Sequence, residues 1–223
     1  MSAEDTVVAV LGLKPISKLN LTMDGIAVKP KLFDDVKKAI TTNKITVSVF
    51  KPAELGAGVD AKYWPVIELP DGQKWYDIIG LLSDTIAGTK SEQITFAKTI
   101  VHECVHAGFD LAKTKMTKMQ NEQLAYVSSY MFVALWMVEL GGNPAKVNVT
   151  AMKTWEATAW GIALDEISGK SGTKKMYNAL ATELGKEPEY KDFDKKAADN
   201  DGVGKKWVPK PAPKPTPRAK GAP

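Results

Sequence analysis

The sequence predicts an α+β fold, in which a small N-terminal twisted sheet packs on one helix and the C-terminal half is mainly helical. Three observations predict it. The β-branched and apolar runs that read as strands fall within the first 82 residues, and apolar residues recur at helical spacing after Ser91. With 223 residues, 44% of them hydrophobic and 25% charged, the chain is long enough to bury one sizeable core. Strands first and helices later place both around that core, giving one domain over residues 1–202 (sheet-rich 1–90, helical 91–202) and a Pro/Lys-rich disordered tail over 203–223.

Taken in order, Leu32, Val36 and Ile40 share one side of a helix expected over Lys31 to Thr41. The Gly-free run Ile45 to Phe50 reads as a strand. A second runs from Tyr63 to Leu69, ends at the turn signal Pro70-Asp71-Gly72, and is followed by a third from Trp75 to Leu82. Four helices are then expected. The first covers Ile94 to Leu111, and the second runs from Thr117 to Leu140 and stops at Gly141-Gly142. The third covers Thr150 to Ile167 before Gly169, and the fourth Thr173 to Leu184 before Gly185. No repeat of fixed period is present.

Charge and composition exclude several classes. The net charge is +4, but six basic residues follow Asp201 with no acid among them, so the preceding part carries −2 (4 − 6). A basic nucleic-acid-binding face on the folded domain is therefore not expected, and the positive charge belongs to a tail whose alternating prolines favour extended polyproline II. A partner for residues 205–220 is conceivable on those grounds. The longest apolar stretch, Leu124 to Leu140, is short for a bilayer and carries Ser128, Ser129 and Glu139, so no membrane span is expected. The start, Met1-Ser2-Ala3-Glu4-Asp5, lacks a basic region followed by an apolar run, which makes the cytoplasm the default compartment; export without a cleavable signal would leave no mark here. The single cysteine, Cys104, excludes an intramolecular disulfide and a multi-cysteine zinc site.

The chemistry concentrates in His102-Glu103-Cys104-Val105-His106, which holds both histidines of the chain in an HExxH pattern. On a helix, His106 projects about 40° from His102, so the two imidazoles can reach one metal ion. Glu103 lies about 100° away, placed to face a metal-activated water as general base and acid without being a ligand. Cys104, about 200° away, falls in the apolar stripe and reads as a core thiol. Catalytic zinc takes three protein ligands and keeps a position for water, and no third histidine exists. Glu122, near the start of the second helix, is the first choice for the missing ligand, because a helix doubling back after a short connection brings it over the imidazoles. Asp110, one turn beyond His106, is the alternative ligand, or more simply a hydrogen-bond acceptor that orients His106. Tyr126, one turn after Glu122, is a candidate donor to a developing oxyanion and equally a core aromatic. The strand Tyr63 to Leu69 could offer its edge to an extended peptide.

The segment Thr99 to Tyr126, which contains TIVHECVHAGFDL and then NEQLAY, resembles the zincin metallopeptidases, and its HExxH helix followed by a Glu-bearing helix is similar to the gluzincin branch. The whole chain also resembles small uncharacterised bacterial proteins with such a helix. The resemblance implies one Zn2+ per chain held by His102, His106 and Glu122, with Glu103 as general base, in a hydrolase whose substrate is a peptide or protein. Fifteen residues lie between His106 and Glu122, a shorter interval than the best-known gluzincins have. The competing expectation is a binding or effector module that keeps this fold without turnover and acts through its surface and basic tail.

Overall fold

The computed structural model describes residues 2–56, 58–68 and 72–203. The expected tail lies outside the described residues except for Val203, and so do Leu69, Pro70 and Asp71 of the expected strand end and turn. The architecture is α+β, as the residue pattern predicts. Helix α1 (Ala3–Leu11) leads into a hairpin of β1 (Leu21–Met23) and β2 (Ile26–Val28), then α2 (Pro30–Thr41), β3 (Thr46–Val49) and the short α3 (Pro52–Leu55). Strands β4 (Ala61–Glu68) and β5 (Lys74–Leu81) follow, and then α4 (Lys90–Leu111), α5 (Lys118–Glu139), α6 (Thr154–Ile167) and α7 (Lys174–Leu184).

Besides the short α3, helix α1 and the β1–β2 hairpin go beyond the elements expected from the sequence. Helix α1 is nucleated by a capping box in which Ser2 Oγ accepts from Asp5 N and Asp5 answers at Ser2 N. The β1–β2 hairpin turns at Asp24-Gly25, with φ of 50° and 81°, the left-handed pair that a two-residue turn requires. Two boundaries also move. Helix α4 begins at Lys90 rather than Ile94, because Thr89 and Glu92 form a capping box before the apolar periodicity starts. Helix α6 begins at Thr154 rather than Thr150, because Asn148 Oδ1 ties up the amide and hydroxyl of Thr150 in a local turn.

The three-stranded sheet has the order β3-β5-β4, with β5 parallel to β3 and antiparallel to β4. Its centre, β5, is buried from Asp77 to Leu81, and β4 is an edge. Helix α4 is the axis of the molecule, packing on α2, α5 and the edge strand β4. One continuous hydrophobic cluster runs from Val7 to Leu184 and contains the fully buried Phe33, Phe109 and Phe132. Each such side chain contributes about 1.5–3 kcal/mol by leaving water. Among the described residues no helix is long and apolar enough to cross a membrane, and Leu124–Ala134 of α5 lies in the core.

Where α2 crosses α4, the Leu32 side chain lies directly on Gly108. A Cβ there would stand 2.3 Å from Leu32 Cδ2, so Leu32 fills the space that a side chain at this position would take. Gly108→Val is expected to force the two helices apart and to lower unfolding free energy by about 1–3 kcal/mol, measured by urea denaturation. An unchanged midpoint would show that Leu32 yields without cost.

After α7 the chain returns across the α4–α5 connection as an irregular strap, with 3-10 turns at Pro188–Tyr190 and Phe193–Lys195. Lys118 N donates to Lys196 O at 2.8 Å and Ala198 N donates to Met116 O at 3.0 Å, around an isolated bridge between Thr117 and Ala197. Lys118 also holds Asp199 at 2.7 Å, and Asn200 donates to Thr114 O.

Candidate metal centre

The α4–α5 turn builds the site. Thr117 caps α5, and Gln120 Oε1 accepts from Thr117 N to close the capping box, which leaves the next acid, Glu122, free for other work. The two long helices lie side by side, so the first turns of α5 stand over the last turns of α4. Glu122 therefore meets both imidazoles. His102 Nε2 and His106 Nε2 are 3.0 Å apart, Glu122 Oε2 is 3.5 Å from the first, and Oε1 is 3.7 Å from the second. One donor atom from each residue lies within 4.8 Å of the others. Tetrahedral ligands on bonds of about 2.0–2.1 Å stand roughly 3.3 Å from one another, so the three donors have the spacing of a mononuclear metal site. His102, His106 and Glu122 could hold a metal ion.

The charge distribution agrees with that reading. Burial pushes the Glu122 carboxyl up, but the imidazoles of His106 and His102 and the ammonium of Lys118 outweigh it and hold Glu122 below the usual carboxylate range. Burial pulls His106 down, and the carboxylates of Glu122 and Glu103 more than reverse it. The pocket thus favours an anionic carboxylate and added positive charge at the imidazoles, which is the preference of a cation site.

Glu103 is 8% exposed and sits beside this triad, Oε1 4.0 Å from His102 Nε2. Its other oxygen, Oε2, accepts from Tyr63 N of the β4 edge at 2.7 Å. Tyr63 N–H points away from β5 to make this bond, so one amide of the sheet edge fixes Glu103 at this position. Burial raises the Glu103 pKa, which makes it a stronger base than a surface carboxylate. Cys104 is fully buried with its thiol pushed up by burial, in agreement with a core role.

Asp110 is placed differently from the expectation. It is fully buried, but Oδ2 accepts from Tyr63 OH at 2.6 Å and Oδ1 from Gly202 N at 2.8 Å, so it ties the sheet and the strap to α4. The residue that meets His106 is Asn121, whose Oδ1 lies 2.9 Å from Nδ1. Asn121 reaches over from the other helix, whereas Asp110, one turn along the same helix, points back toward β4. An amide oxygen as acceptor keeps the proton on Nδ1 and the lone pair on Nε2, toward Glu122. Asn121→Ala is expected to weaken metal affinity by about 10–100-fold with the fold retained, read by competition with a chromogenic chelator. Equal affinity would remove the orienting role.

Tyr126 lies against the site, its ring 4.3 Å from that of His102 and 4.5 Å from that of Trp155. Its hydroxyl is 2.5 Å from Tyr190 OH of the strap. Burial above all, with Tyr190 and Glu122 adding to it, keeps this phenol protonated and so a donor. The whole constellation opens into a cleft of about 630 Å³ whose walls come from β4, α4, α5 and the strap. Asn121, Tyr63 and Tyr190 were not singled out from the sequence. Asn121 had one legible signal, its place directly before Glu122 on the same first turns. Tyr190 had none, lying 64 residues from its partner.

The chain matches no protein-family model, no curated protein and no solved structure.

Proposed function

We propose that the chain is a zinc-dependent hydrolase, most simply a peptidase, that works with a Glu general base. One observation carries the reading: two imidazoles, a third donor from another helix and a separately anchored carboxylate converge in one open cleft. His102, His106 and Glu122 would hold the ion, and two nitrogens with one carboxylate oxygen suit zinc. Bound there, zinc supplies Lewis-acid polarisation of a carbonyl and lowers the pKa of water toward neutrality.

The residues of the chain supply the rest. Glu103, held through Oε2 by Tyr63 N, keeps Oε1 for the attacking water; it takes that proton and delivers it to the leaving amine. Asn121 holds the His106 tautomer. Tyr126, once its hydroxyl turns from Tyr190, donates to the oxygen that gains negative charge.

The test is hydrolysis of a mixed-sequence peptide pool by the zinc-loaded chain, followed by mass spectrometry. Cleavage that a chelator stops and added zinc restores is the expected result. An intact pool in the presence of a full equivalent of bound zinc would overturn the reading.

A further inference from the structure

Lys98 is the one basic side chain of this cleft that is neither exposed nor ion-paired among the described residues. It stands on α4 one turn before His102 and lines the same cleft, with Nζ 4.3 Å from the centre of the Tyr130 ring. Of the other lysines lining the cleft, Lys62 is exposed and Lys118 is held by Asp199 at 2.7 Å. No carboxylate oxygen among the described residues lies within 4.0 Å of Lys98 Nζ. Glu156, whose field reaches Lys98, has both oxygens engaged, Oε1 by Tyr130 OH at 2.8 Å and Oε2 by Lys153 N at 3.0 Å. Asp60, at the cleft wall, acts on it only from a distance. With the face of the Tyr130 ring as its near partner and two carboxylates only at a distance, this half-buried ammonium is open to a direct anionic partner.

The spacing says where that anion would sit. His102 faces Tyr126 and Lys98 faces Tyr130, successive turns of α5, so Lys98 lies about 6 Å along the helix axis from the metal ligand. An extended peptide covers about 3.3–3.6 Å per residue. We infer that Lys98 receives a substrate carboxylate one or two residues from the scissile bond, so that peptides carrying a negative charge there are the preferred substrate class. The inference rests on the peptidase reading of the same cleft. The carboxylate comes either from a free C-terminus or from an Asp or Glu side chain.

Binding separates these sources without requiring turnover. Immobilised, zinc-loaded Glu103→Gln protein is offered three pools of N-acetylated pentapeptides: free acids without acidic side chains, the same sequences as C-terminal amides, and amides with one Glu. Retained peptides are counted by mass spectrometry. An anionic pool is expected to be retained about tenfold or more over the neutral amides, with the preference lost in Glu103→Gln/Lys98→Met and kept in Glu103→Gln/Lys98→Arg. Retention confined to the free acids assigns a terminal carboxylate, and retention of the Glu-containing amides assigns a side chain. Equal retention of charged and neutral pools by the Lys98 protein, no retention of any pool, or a preference that survives Lys98→Met overturns the inference. The comparison of pools on the Lys98 protein needs no folded Met variant. Peptides retained by charge yet left intact by the native chain would count against the hydrolase alone, and peptides cleaved without regard to charge against Lys98 alone.

Discussion

Glu103→Gln should leave the metal content of the chain unchanged and reduce peptide hydrolysis by about 10²–10⁴-fold. Glutamine has the shape of glutamate, and its carbonyl oxygen can keep the 2.7 Å bond from Tyr63 N. What disappears is the proton acceptor. Burial already disfavours the charged form of Glu103, so a neutral amide costs little solvation, and thermal stability should hold or rise slightly. The variant therefore separates chemistry from folding. Kinetic measurement of kcat/KM beside elemental analysis of the same sample checks both halves. Activity within tenfold of native would remove Glu103 as general base, and loss of metal would show that it helps to hold the ion.

His106→Ala and Glu122→Ala are each expected to drop metal content from about one ion per chain to near zero. The three donor atoms are close because helix packing puts them there, so deletion of one leaves two donors and an open flank rather than a rearranged site. Stability gives an independent reading. An ion bound at 100 times its Kd stabilises the native chain by about 2.7 kcal/mol, which in a chain of this size raises Tm by roughly 5–10 °C. That rise should be present in the native chain and absent in both variants. A zinc-dependent rise that persists in Glu122→Ala would assign the third ligand elsewhere.

Much of this arrangement was readable where one local rule acts. The ends of α5 and α7 follow from Gly141-Gly142 and Gly185, and the face shared by His102 and His106 follows from helix geometry. Local signals were also present for α1 in Ser2 and Asp5 and for the hairpin in Asp24-Gly25, although their flanking apolar runs are too short to advertise an element. Contacts between distant segments left no such trace. The Tyr63 amide holds Glu103 from 40 positions away because β4 is an edge strand, which depends on β5 lying between β3 and β4. Asn121 takes the place expected of Asp110 for a similar reason: spacing along α4 puts Asp110 near His106, but the sheet claims its carboxylate and α5 supplies the amide.

The strap over the cleft also bears on the order in which the molecule is made. Every donor of the metal centre, with Glu103 and Tyr126, has been synthesised by residue 126, whereas the strap residues at 188–203 that wall the cleft come later. At about 5–20 residues per second the intervening stretch of about 60 residues takes roughly 3–12 s. During that interval a nascent chain can present the paired helices with one wall of the cleft missing. An ion that these donors hold could then enter from the side that the strap later walls. The strap is thus the last wall of the cleft to be made, and a chain ending before residue 188 would carry every candidate donor but lack that wall.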